Sequence, residues 1–122
     1  MLVDDDHFLL DIYSLKFKTQ GLNIVTADGS SEALEKIRNG DNPDIILLDI
    51  IMPTMDGLEL LKIIRDEKLV PLAVIIMLTN QSDEMEKAKE LGVDGYIIKA
   101  TSIPSEVVSQ VMEIYNKKNK NK

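Results

Sequence analysis

Short, almost continuously apolar runs alternate along the chain with segments in which apolar residues recur every three or four positions. The runs are residues 22–27 (LNIVTA), 45–48 (IILL), 73–78 (AVIIML) and 96–98 (YII), with Leu2-Val3 as a fifth. Runs without strict alternation predict parallel strands covered on both faces. Between them, Phe8, Ile12 and Leu15, then Ala33, Leu34 and Ile37, then Leu58, Leu61 and Ile64, then Met85, Ala88 and Leu91, and last Val107, Val111 and Ile114 fall at helical spacing. The order is strand then helix, five times. Ser30 and Ser82 suit helix N-caps, Gly40 and Gly92 suit helix ends, and Pro104 suits a first helical turn. The expected fold is α/β: one parallel sheet with right-handed crossovers and helices on both faces, which buries all of these apolar surfaces.

Composition narrows the chemistry. The 122 residues suit one domain, expected over 1–116, followed by a basic end at 117–122 within NKKNKNK, read as a frayed, solvated helix end. Fourteen Lys and Arg against 21 Asp and Glu leave a net charge of −7, which argues against direct nucleic-acid binding. No apolar run approaches the roughly 20 residues of a membrane span, and Met1-Leu2-Val3-Asp4-Asp5-Asp6 lacks the order of a signal peptide. A soluble, cytoplasmic protein without membrane insertion is expected. With no Cys and the single His7, there is no thiol nucleophile, no Cys or His metal cluster and no Ser-His relay. Carboxylates, hydroxyls and lysine remain.

In doubly wound sheets, ligands bind beyond the C-terminal ends of the strands. Asp4-Asp5-Asp6 follows the first strand, Asp49 the third, Thr79 the fourth and Lys99 the fifth. Clustered carboxylates repel unless a cation neutralises them, and an all-oxygen set suits Mg²⁺ or Mn²⁺. The first strand-helix turn carries acids where a dinucleotide-binding fold needs its glycines, and no P-loop sequence occurs.

These residues closely resemble the receiver domain of two-component response regulators, particularly the stand-alone chemotaxis type, over essentially the whole chain. The resemblance rests on LVDDD at 2–6, LDIIMPTMDG at 48–57, IMLT at 76–79 and GYIIK at 95–99. It implies a flavodoxin-like three-layer sandwich with strand order 2-1-3-4-5 and five helices. By resemblance, Asp49 takes a phosphoryl group from a phosphohistidine of a sensor histidine kinase or a phosphotransfer protein. Asp4, Asp5, Asp49 and the Ile51 backbone carbonyl would hold Mg²⁺, with Mn²⁺ as a substitute. Lys99 would pair with the phosphoryl oxygens, and Thr79 would donate its hydroxyl to them. Tyr96 resembles the aromatic switch that moves with Thr79 and alters the face of helix 4, strand 5 and helix 5. That face would meet a downstream protein or form a dimer. The implied function is a phosphorylation-dependent signalling switch whose only catalysis is Mg²⁺-dependent phosphoryl acceptance and slow autodephosphorylation.

Asp56 is expected at the start of helix 3, Met52 and Met55 in packing, Asp6 either as a cap of helix 1 or beside the ligands of the ion, with the cap favoured, and His7 on the surface. Two positions depart from the family's pattern. Ala100 stands where a proline, often cis, usually follows the lysine, and Asn80 stands where a small residue usually follows the threonine. Ile51, Asn80 and Gln81 are expected to tune the site, with apolar Ile51 slowing attack by water on the acyl phosphate. Two other readings stay open at this point. An Mg²⁺-dependent phosphatase with an aspartyl intermediate characteristically has a second acid two residues after the nucleophile, where this chain has Ile51. A non-phosphorylated interaction module on the same fold would be signalled by loss of Asp5, Asp49 or Lys99.

Overall fold

The computed structural model describes residues 1–120; residues 121 and 122 of the basic end lie outside the described residues. The elements are β1 (Leu2–Val3), α1 (His7–Lys18), β2 (Thr26–Ala27), α2 (Ser30–Arg38), β3 (Ile45–Leu48), α3 (Gly57–Asp66), β4 (Val74–Thr79), α4 (Met85–Glu90), β5 (Gly95–Ile98) and α5 (Pro104–Lys120), with a single 3₁₀ turn at Lys99–Thr101. All four strand pairings are parallel, in the order β2-β1-β3-β4-β5. No helix among the described residues is long and apolar enough to cross a membrane.

Side chains alternate across the strands, so the unbroken apolar runs serve two cores. Ile46, Leu48, Ile75 and Met77 face α2, α3 and α4, whereas Leu47, Val74, Ile76 and Leu78 face α1 and α5. All six residues of β4, an interior strand, are buried. Each such Leu, Ile or Val contributes roughly 1.5 to 3 kcal/mol relative to exposure, which holds the sheet end rigid beneath the loops that follow it.

Several helix ends follow the expected local chemistry. Asp6 caps α1 by accepting from Phe8 N at 3.0 Å and Leu9 N at 3.3 Å. Asp56 caps α3 through Glu59 N at 2.8 Å. Gly92, with φ 80°, closes α4 through paired bonds from Gly92 N to Lys89 O and Val93 N to Ala88 O. Pro104 opens α5.

Other expectations are corrected. The α1 face turned inward is Leu10, Tyr13 and Phe17, while Phe8 and Leu15 are 71% and 64% exposed. Both triplets have helical spacing, and packing against α5 and the sheet selects the one carrying the two buried aromatics. Ser30 is not an N-cap: Gly29 takes that place with φ 106° and ψ 173°, backbone angles that only glycine adopts readily. Ser30 is instead buried, with its hydroxyl 4.0 Å from the Met52 sulfur. Ser82 does not cap α4 either, since the helix starts at Met85 after Glu84 and has no side-chain cap. Within the expected strand at 22–27, only Thr26–Ala27 pairs, because the register sets Leu2 beside Thr26 and leaves 22–24 alongside no residue of β1.

Candidate functional site

Parallel pairing brings the ends of β1, β3, β4 and β5 to one rim. Asp49 N donates to Val3 O at 3.1 Å and Asp4 N to Ala27 O at 3.3 Å, so the sheet ladder itself fixes where both carboxylates leave the backbone. Asp4 and Asp49 are 7% and 8% exposed, and Asp5 is open to solvent. Carboxylate oxygens of Asp4, Asp5 and Asp49 lie within 4.8 Å of one another.

Lys99 enters this cluster from the end of β5. Its Nζ donates to Asp4 Oδ2 at 2.6 Å and to Asp49 Oδ2 at 3.0 Å. The other Asp49 oxygen accepts from Ile50 N at 2.7 Å, and Asp4 Oδ1 accepts from Asp6 N at 3.0 Å. Burial pushes the Asp4 carboxyl above its usual range, against the opposing hydrogen bond from Lys99. Burial disfavours the Lys99 ammonium, but the bonds and charges of Asp4 and Asp49 outweigh it and raise its pKa. The site thus holds three acids against one ammonium. An all-carboxylate set of this spacing, already drawing in one cation, fits a hard divalent ion such as Mg²⁺.

The remaining expected residues fall into two groups. Ile51 lies on the loop after β3, with an exposed side chain and a carbonyl that accepts no hydrogen bond among the described residues. Thr79, fully buried at the end of β4, reaches neither Asp49 nor Lys99 with a hydrogen bond; its Oγ1 accepts from Gln81 N at 3.3 Å. The hydroxyl of half-buried Tyr96 donates to the Gln81 carbonyl. Asn80 Oδ1 accepts from Ala100 N at 2.8 Å. The Lys99–Ala100 peptide is trans, as are all peptides among the described residues.

Sequence reasoning missed two features. Gly57 enters the sequence reading only as the last residue of LDIIMPTMDG, yet a β-carbon there would collide with the Asp49 carbonyl, and Gly57 N donates to Ile50 O at 2.8 Å. His7 Nε2 lies 2.9 Å from Asp28 Oδ2, joining the start of α1 to the loop after β2. Neither contact has a signal in local spacing.

Comparison with known proteins gives the family. A family model described as the response regulator receiver domain matches residues 1–111. The alkaline phosphatase synthesis transcriptional regulatory protein PhoP of Bacillus subtilis (strain 168) is 35% identical over 116 residues, covering 93% of this chain and 47% of that protein. The chain therefore spans about half the length of that curated relative. Among solved structures, a CheY-like receiver domain protein from Methanospirillum hungatei JF-1 superposes with a TM-score of 0.87 at 28% identity, covering 99% of this chain and 95% of the other. The response regulator TrrA of Thermotoga maritima, solved in complex with Mg²⁺ and BeF, gives 0.79 at 31% identity, covering 93% and 95%. With the family model spanning nearly the whole chain and the strand order and acidic rim in place, the protein belongs to the receiver domains of two-component response regulators.

Proposed function

We propose that Asp49 is the phosphoacceptor of this receiver domain and that Asp4, Asp5, Asp49 and the Ile51 carbonyl hold Mg²⁺ during transfer. Membership of the family carries phosphorylation-dependent signalling. The observation that supports the assignment is the convergence of Asp4, Asp5 and Asp49 with Lys99 at the ends of β1, β3 and β5. TrrA, similar along most of its length, was solved with Mg²⁺ and BeF.

An Asp49 carboxylate oxygen attacks the phosphorus of a phosphohistidine on a sensor kinase or phosphotransfer protein. The new O–P bond forms as the P–N bond breaks, and the imidazole leaves with a proton. Bound Mg²⁺ supplies charge neutralisation for the phosphoryl oxygens. Lys99 then follows the phosphoryl group as a flexible point charge. Thr79 exchanges its bond with Gln81 N for one to the phosphoryl group. Tyr96, tied to the same Gln81, registers that movement on the face of α4, β5 and α5, where a downstream protein or a second copy binds. The domain itself contacts no nucleic acid and works in the cytoplasm.

The test is incubation with Mg²⁺ and acetyl phosphate, followed by intact mass of the parent and Asp49→Asn. One phosphoryl mass on the parent alone supports the assignment. Equal modification of both proteins overturns it, and continuous phosphate release at high turnover points to a phosphatase instead.

A further inference from the structure

We propose that Asn80 is a positioning residue for Lys99, acting through the backbone N–H of Ala100. This rests on the reading of Lys99 as the phosphoryl-pairing group. Lys99 opens a 3₁₀ turn at Lys99–Thr101, and the first N–H groups of such a turn have no acceptor within it. Asn80 Oδ1 supplies one, 2.8 Å from Ala100 N.

Geometry carries the effect from that bond to the ammonium. The peptide joining Lys99 to Ala100 is planar, so fixing the direction of the Ala100 N–H fixes rotation about the Lys99 Cα–C bond. On the other side, the β4–β5 ladder holds Ile98 in register with Thr79. The Lys99 Cα is therefore clamped from both directions by consecutive residues, Thr79 and Asn80. A lysine has a long flexible stem, and ordering its base confines Nζ to the gap between Asp4 and Asp49.

The contact needs two residues at once. A proline at 100 would have no N–H to donate, and a glycine or alanine at 80 would have no side-chain oxygen to accept. The two departures from the family's pattern, Asn80 and Ala100, are thus halves of one hydrogen bond. Because Asn80 directly follows Thr79, the bond also links the loop after β4 to the lysine turn. A second link runs alongside it, from the Tyr96 hydroxyl to the Gln81 carbonyl.

The experiment measures acylation of Lys99 by an amine-directed reagent in the full chain, resolved by peptide mass spectrometry, with exposed Lys62 as internal reference. Asn80→Leu keeps the size but removes the acceptor, and it is expected to speed labelling of Lys99 about threefold to tenfold, the equivalent of about 0.7 to 1.4 kcal/mol. Asn80→Asp keeps an acceptor oxygen and is expected to label Lys99 at close to the parental rate. Ala100→Pro is expected to match Asn80→Leu, and the double variant to exceed neither. Parental labelling in Asn80→Leu, equal acceleration in Asn80→Asp, or multiplied effects in the double variant would overturn the proposal. If the proline variant fails to fold, the two Asn80 variants decide alone. Phosphorylation of Asp49 by acetyl phosphate at saturating Mg²⁺ is expected to slow in Asn80→Leu by a similar factor. A parent that takes no phosphoryl group refutes the functional assignment, while the labelling still decides whether Asn80 positions Lys99.

Discussion

Lys99 Nζ lies 2.6 Å from Asp4 Oδ2, joining residues 95 positions apart across a nearly buried rim. The same ammonium reaches Asp49 Oδ2 at 3.0 Å, so one lysine partly neutralises a cluster that would otherwise be wholly acidic. A divalent ion bound at the three carboxylates would answer the same electrostatic need as this tethered charge.

Lys99→Met is therefore expected to lower stability in metal-free buffer by about 1 to 3 kcal/mol, below the full loss for a completely buried pair because the rim meets solvent. Mg²⁺ should recover more stability in this variant than in the parent. A site filled at one hundred times its dissociation constant gains about 2.7 kcal/mol. Urea unfolding with and without Mg²⁺ checks both statements; equal recovery in the two proteins would show that lysine and ion do not share the cluster.

Gly57→Ala is expected to be severe despite its small size. Its β-carbon would run into the backbone carbonyl of Asp49, and backbone cannot swing aside as a side-chain tip can. A loss of about 1 to 3 kcal/mol follows from overpacking of this kind. Displacement of Asp49 should also abolish phosphorylation in the surviving folded fraction. Thermal unfolding and intact-mass phosphorylation measure the two effects; a variant that matches the parent in both would refute the close approach.

His7 should titrate above the ordinary histidine value, because Asp28 accepts its Nε2–H and adds an opposite charge, with Asp11 and Asp6 contributing further. A raised folded-state pKa means that the pair's small stabilisation is complete below the unfolded value, about 6.5. It is lost as pH rises through the folded value. As the chain's only histidine, it gives a single imidazole signal to follow by NMR. Asp28→Asn is expected to move that titration downward, and an unmoved midpoint would show that the pair does not form in solution.

Acyl phosphate lifetime should respond to Ile51, whose exposed apolar side chain stands on the loop two residues beyond Asp49. Ile51→Asn is expected to speed hydrolysis about threefold to tenfold, equivalent to roughly 0.7 to 1.4 kcal/mol of barrier. The check is decay of isolated phospho-Asp49 protein in Mg²⁺ buffer, and slower decay in the variant would reverse the assigned role.

The alternation of apolar runs and helical stripes was enough to find the five strands and five α-helices of the described residues, though not the 3₁₀ turn at Lys99–Thr101. The Asp6 and Asp56 caps, the Gly92 helix end and the Pro104 start were legible for the same reason: each depends on a few adjacent residues. Ser30 and Ser82 misled because a serine's preference for a cap is weaker than the pull of a buried position or a loop already held from elsewhere. In α1, spacing admitted two faces, and only the neighbours α5 and the sheet chose Leu10, Tyr13 and Phe17.

By itself, the sequence determined the fold class and the residues that meet at the strand ends, since periodicity and the chemistry of Asp, Thr and Lys are written locally. Tertiary structure alone decided which of those residues touch. Asp4 and Asp49 share Lys99, Thr79 turns to Gln81 N, and Asn80 meets Ala100 across separate loops. Contacts of this kind depend on strand register and on the direction in which each backbone leaves the sheet, and these are set only when the whole sheet assembles.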